Sequence, residues 1–188
     1  MQKLNKITLL SLLFVSAFSY SQETGPSKEV TVQSINKYMN EAVGMKTYNL
    51  CFDDDGNYSN RCSENTITVN SFGLDKISRI ATVTTPDGNY SSTTEYTLMN
   101  WGNLTQISVD SSENLSMDKE IVWISLDFAS KILYNSFSTV GSGNRTGDYS
   151  DYYYGLVIFI PRNRVEACLK ALNHLKEISK VDDPFDDH

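Results

Sequence analysis

The sequence predicts an α+β domain: a mostly antiparallel β sandwich or barrel, with an N-terminal helix and a C-terminal amphipathic helix packed on the sheet. Three observations carry this. Between residues 45 and 137, short runs rich in β-branched and aromatic residues alternate with Gly, Asn, Asp and Pro turn signals. Apolar residues at helical spacing occur near the two ends, over 30–43 and 162–178. Tyr152–Ile160 is a continuous apolar and aromatic run of strand length that feeds the second of these helices. Strands gathered between terminal helices, without strand–helix alternation, indicate a segregated α+β architecture.

The chain opens with Lys3 and Lys6, an uncharged run from Ile7 to Phe18, and small residues Ser19 and Ser21 before Gln22. A basic start, a short apolar stretch and small residues before a cut are the parts of a secretory signal, so residues 1–21 are expected to be removed. The apolar run is shorter than the ~20 residues that span a bilayer. No later run approaches that length, so no transmembrane segment is expected in the mature chain, whose place is periplasmic or extracellular. Removal takes two lysines and no acid, so the net charge moves from −7 to −9. An acidic chain with no basic stripe excludes nucleic acid and anionic membrane surfaces as partners.

Residues 22–29, with Gly25-Pro26, read as a flexible start, 30–180 as a single domain, and 181–188 as an acidic, disordered tail. The first helix rests on Val32, Ile35, Met39 and Ala42, with Gly44 as its C-cap. Its start is poorly signalled, since neither Ser27 nor Thr31 has Glu or Gln three residues on. Strands are expected at Met45–Phe52, Asn65–Phe72, Lys76–Thr84, Thr93–Met99 and Leu104–Asp110, with a turn at Pro86-Asp87-Gly88-Asn89. Lys119–Phe128 and Lys131–Phe137 are expected to pair as a hairpin across Ala129-Ser130. Pro161 ends the last strand and suits the opening of a helix. Val165, Cys168, Leu169, Leu172 and Leu175 then make one apolar stripe.

From about residue 93 to 178, the order of antiparallel strands closed by an amphipathic helix resembles a pleckstrin-homology-like domain, where such a helix plugs one end of a bent sandwich. Ala171-Leu172-Asn173-His174-Leu175 after an apolar strand is also similar to small exported bacterial proteins of unknown function. Neither resemblance rests on a catalytic or binding motif, and neither implies a functional residue.

Three candidate sites follow from the residues. Cys51 and Cys62 flank Asp53-Asp54-Asp55-Gly56-Asn57, and a two-residue turn at Gly56-Asn57 sets Cys51 opposite Cys62, as a disulfide requires. Cys168, on the helical stripe, reads as a buried free thiol. The same Asp53–Glu64 stretch can be counted as a calcium loop with Asp53, Asp55, Asn57 and Glu64 as oxygen ligands. Against this stand Tyr58 where such a loop has Gly and the lack of flanking helices. Calcium is the one cofactor the sequence raises.

The segment Ser138–Tyr154 reads as a long Gly- and Tyr-rich loop, with Tyr149, Tyr152, Tyr153 and Arg145 in the residue mixture of binding loops. The expected function is therefore an exported, non-catalytic binding or interaction module for a protein, peptide or glycan partner. A calcium-stabilised exported protein is the first alternative, and a carboxylate-based hydrolase the second. The only histidines are His174 and His188, so His-dependent hydrolysis and zinc chemistry have little to work with.

Overall fold

The computed structural model describes residues 25–52, 58–110, 118–140 and 144–181. The expected signal at 1–21, the turn at 53–57 and the acidic tail from Asp182 onward lie outside the described residues. Helix α1 (Lys28–Asn40) precedes seven antiparallel strands: β1 (Lys46–Phe52), β2 (Tyr58–Phe72), β3 (Lys76–Thr85), β4 (Gly88–Thr97), β5 (Leu104–Asp110), β6 (Ile121–Val140) and β7 (Asn144–Pro161). Helix α2 (Val165–Val181) follows β7. The sheet order is β1-β2-β3-β4-β6-β5, with β7 on the other side of β6. It curls into a half-barrel on which both helices pack.

β6 organises this sheet. The hairpin expected at Ala129-Ser130 does not form, and β6 runs through it as one strand of 20 residues. Ala-Ser supplies neither of the positive-φ residues that a two-residue hairpin turn demands. What interrupts the alternation is a bulge: pairing jumps from Asp127↔Gly155 to Ile132↔Tyr153, so residues 128–131 face a single residue of β7. A bulge bends its strand and sharpens the twist. β4 and β5 accordingly lie end to end along one edge of β6, meeting it at Leu133 and Phe128 on either side of the bend.

The Ser138–Tyr154 loop is also corrected. Residues 138–140 finish β6, and β7 begins at Asn144, so most of the segment is paired strand. Its Ser, Thr and Tyr content is what a strand with one solvated face tolerates. Gly147, at φ +63, sits where the register shifts between Ser136↔Tyr149 and Ser138↔Thr146. Burial on both faces holds only for the later part of β7: Ile158, Phe159 and Ile160 are buried, while Tyr152, Tyr153 and Tyr154 are exposed.

The helices follow their apolar stripes. α1 starts two residues before Val30, because Ser27 Oγ accepts from the Val30 amide at 3.4 Å and replaces the missing capping box. The chain turns at Gly44 (φ +90). Ile35 and Met39 of α1 and Cys168, Leu172 and Leu175 of α2 are fully buried with Ile124, Leu126, Phe128, Ile158 and Ile160. Alternate residues of β6 and β7 thus face the helices, each large side chain contributing about 2 kcal/mol by burial. The intervening set, with Ile121, Trp123, Val157 and Phe159, faces Ile67 across the curl.

Two polar clasps hold the curl. Asp118 accepts from the Lys46 amide (3.1 Å) and the Tyr48 hydroxyl (2.9 Å), tying β1 to the start of β6. The amide of Asn70, 1% exposed, donates to the Met39 carbonyl at 2.7 Å and the Phe159 carbonyl at 2.9 Å. That one side chain joins α1, β2 and β7.

Cys51 and Cys62 are disulfide-bonded, with Cα atoms 5.6 Å apart. They are not directly opposed, as a Gly56-Asn57 turn requires. Phe52 pairs with Tyr58 and Cys51 with Asn60, and Cys62 is the extra residue of a bulge between Asn49↔Ser63 and Leu50↔Arg61. The innermost pair is Phe52↔Tyr58, so five residues and not two separate the strands, and the two bulges step the pairing only partway back toward the register that a Gly56-Asn57 turn fixes.

Candidate functional site

A groove of about 450 Å³ is lined by Tyr96, Ser125, Asp127, Tyr134, Ser136, Tyr149, Tyr153, Gly155, Leu156 and Val157. Each side chain arrives by strand alternation: Tyr96 from β4, Ser125 and Asp127 from β6 before its bend, Tyr134 and Ser136 after it, Tyr149 and Tyr153 from β7. The bend brings the two halves of β6 to the same groove.

The tyrosines form a continuous aromatic wall. Tyr134 lies 5.3 Å from Tyr96, 6.0 Å from Tyr149 and 5.5 Å from Tyr153 between ring centroids, the last two edge to face. The Tyr149 and Tyr153 hydroxyls are 2.9 Å apart, and the Tyr149 hydroxyl donates to Asp151 at 2.9 Å. These hydrogen bonds, first from Tyr153 and then from Asp151, push the Tyr149 pKa well above the ordinary phenol range. Asp151 is lowered, first by the Tyr152 amide at 2.7 Å and then by the Tyr149 hydroxyl. Burial raises Tyr96. The two upward shifts keep Tyr96 and Tyr149 in their neutral form at physiological pH.

Gly155 is needed at the groove floor. A Cβ there would stand 2.6 Å from Asp127 Oδ1, so the missing side chain is what lets the carboxylate lie across β7. Asp127 is the single carboxylate among the described residues lining the groove, whereas carboxylate-based hydrolysis uses a pair.

A second, more enclosed compartment of about 210 Å³ shares Tyr134 and Ser136 with the first. It is lined by Thr47, Asn49, Asn65, Arg79, Tyr90, Ser92 and Thr94 from β1 to β4, together with small apolar side chains. Arg79 stacks on Phe159, its guanidinium carbon 4.3 Å from the ring centroid.

The structure places the expected site residues as follows. Tyr149 and Tyr153 are brought together in the groove. Tyr152, of opposite parity on β7, is exposed on the other face of the strand. Arg145 is at the far end of β7, paired with Asp148 at 2.7 Å and stacked on Phe137 at 3.8 Å. Of the calcium ligands, Asp53, Asp55 and Asn57 lie outside the described residues, and Glu64 pairs with Lys46 at 2.8 Å. No group of three metal-binding side chains occurs among the described residues. Cys168 is free and buried, and burial pushes its thiol up to about 12. His174 is half-buried and bonds the Pro26 carbonyl at 2.8 Å, pinning the start of α1.

Sequence reasoning missed Tyr96, Tyr134, Asp127 and Arg79. Each lay in a recognised strand, and alternation told which of its neighbours share its face. What no local signal told was that the bend in β6 turns those faces toward one another. Among the described residues, no helix is long and apolar enough to cross a membrane. No family model, no curated protein and no solved structure matches the chain.

Proposed function

We propose that the chain is an exported, non-catalytic binding module whose tyrosine-walled groove is its contact surface. The observation that carries this is the convergence of four tyrosines from three strands on one concavity, with the Tyr149 and Tyr153 hydroxyls hydrogen-bonded to each other. Tyrosine offers a rigid, amphipathic contact at low entropic cost, suited to the flat faces of a glycan ring or a peptide side chain. Asp127, Ser125 and Ser136 supply acceptors and hydroxyls that orient such a ligand. The Cys51–Cys62 disulfide supports an oxidising destination. The likeness to a pleckstrin-homology-like domain belongs to the same proposal, since a bent sheet closed by a helix is a rigid frame for a ligand groove.

The test is a binding screen against glycan and peptide arrays, followed by alanine substitution on both faces of β7. Tyr149→Ala and Tyr153→Ala should each weaken the selected interaction, while Tyr152→Ala and Tyr154→Ala leave it unchanged. The reverse pattern would move the contact surface to the other face of β7 and overturn the groove reading.

A further inference from the structure

The chain is acid-rich, with 23 Asp and Glu against 16 Lys and Arg. Several of its cations are correspondingly paired: Lys46 with Glu64, Lys76 with Glu95, Arg164 with Glu41. Arg79 is not, although it lines a cavity. Its guanidinium lies over the Phe159 ring, and among the described residues no acceptor bonds it and no carboxylate pairs with it. The ionisable groups that face it are the hydroxyls of Tyr96 and Tyr134, and burial lowers its pKa without neutralising it. A buried or half-buried cation without a partner is costly, so a chain with a surplus of acids would ordinarily supply one.

The surroundings suit an anion. The compartment wall is neutral and hydroxyl- or amide-bearing (Asn49, Asn65, Ser92 and Thr94), and Arg79 lines it with its guanidinium carbon over the Phe159 ring. A guanidinium fork matches the two oxygens of a planar carboxylate. Tyr134 and Ser136 line both compartments, so a group held by Arg79 would be continuous with a body lying on the tyrosine wall.

We infer that the Arg79 compartment is an anion subsite of the tyrosine groove, which receives the carboxylate of an acidic ligand whose flat, uncharged body rests on Tyr134, Tyr149 and Tyr153. This rests on the groove reading above and narrows its ligand class to acidic glycans, acidic peptides or other carboxylates. An oxyanion of phosphate carries related chemistry and is one arm of the test.

The experiment titrates the protein with naphthylacetate, with the neutral isostere naphthylacetamide and with naphthyl phosphate, following binding by calorimetry or NMR. The carboxylate should bind at least about tenfold more tightly than the amide, the discrimination typical of a charge-assisted hydrogen-bonded pair. Arg79→Gln should erase that preference, with Tyr149→Ala and Tyr153→Ala weakening both probes. If Arg79→Gln does not fold by circular dichroism, Arg79→Lys serves, keeping the charge but losing the fork, and should reduce the preference. Equal binding of acid and amide at the tyrosines overturns the subsite and leaves the groove. A preference that survives Arg79→Gln overturns it too. A preference that depends on Arg79 but not on the tyrosines upholds the subsite and overturns the groove. Phosphate binding with no carboxylate preference overturns the carboxylate assignment, and no binding of any probe overturns both readings.

Discussion

Asn70 should be worth more to this fold than any exposed ion pair. Its amide spans two carbonyls at 2.7 and 2.9 Å, from α1 and β7, at 1% exposure. Replacing it with alanine removes two buried hydrogen bonds, each worth about 1 kcal/mol net. It also leaves a small cavity and an under-satisfied Phe159 carbonyl; the Met39 carbonyl keeps the Ala42 amide at 3.0 Å. Together these give a loss of about 2–4 kcal/mol. For a chain of this size that lowers Tm by about 5–15 °C. Urea unfolding followed by circular dichroism measures it. Asn70→Asp sharpens the test, because a carboxylate would face two carbonyl oxygens and fold best when protonated. Folding therefore raises that aspartate's pKa, and the variant should lose stability as pH rises through the carboxylate range, falling below Asn70→Ala at neutral pH. A loss under about 1 kcal/mol for Asn70→Ala, or no pH dependence for Asn70→Asp, would refute the clasp.

Three further outcomes are expected. The double variant Cys51→Ser, Cys62→Ser, which opens a link between residues 11 apart, should lose up to about 3 kcal/mol by loop-closure entropy, read as a lower urea midpoint that matches wild type in reductant. Cys168 should be inert to a thiol reagent in the native protein at pH 8 and react as one thiol per chain on denaturation, since burial holds it protonated; native reactivity would contradict its packing. In a spectrophotometric titration, one phenol absent from Tyr149→Phe should ionise above the ordinary tyrosine range, and Asp151→Asn should bring it down. The sign follows from a raised folded pKa: the stabilisation is complete below the unfolded tyrosine value and lost as pH rises through the folded one.

The sequence was most legible where the signal is local. Val165, Cys168, Leu172 and Leu175 define α2 because their spacing matches its turn, and Ile77, Arg79, Ala81 and Val83 share a face of β3 because alternation demands it. The disulfide was legible from cysteine spacing, but its register was not, because the strands first pair at Phe52↔Tyr58 and not across a two-residue Gly56-Asn57 turn. The bend of β6 at residues 128–131 mimicked a hairpin, since both interrupt the alternation at a short polar step. The tyrosine-rich stretch looked like a loop because its composition suits loops and solvated strands alike; only pairing with Ser136, Tyr134 and Leu133 decides between them. The groove is a product of those long-range pairings. It therefore became visible only when the strands were assembled, with Tyr96 and Tyr134 joining two of the three tyrosines that composition marks, Tyr149 and Tyr153.

The most direct measurement of the central claim is an NMR titration of the protein with naphthylacetate, using isotope-labelled tyrosine rings and arginine side chains. The account predicts that Tyr96, Tyr134, Tyr149, Tyr153 and Arg79 shift together with one saturation curve, while Tyr152 and Tyr154 stay in place. Shifts confined to Tyr152 and Tyr154, or none at any tyrosine, would contradict it.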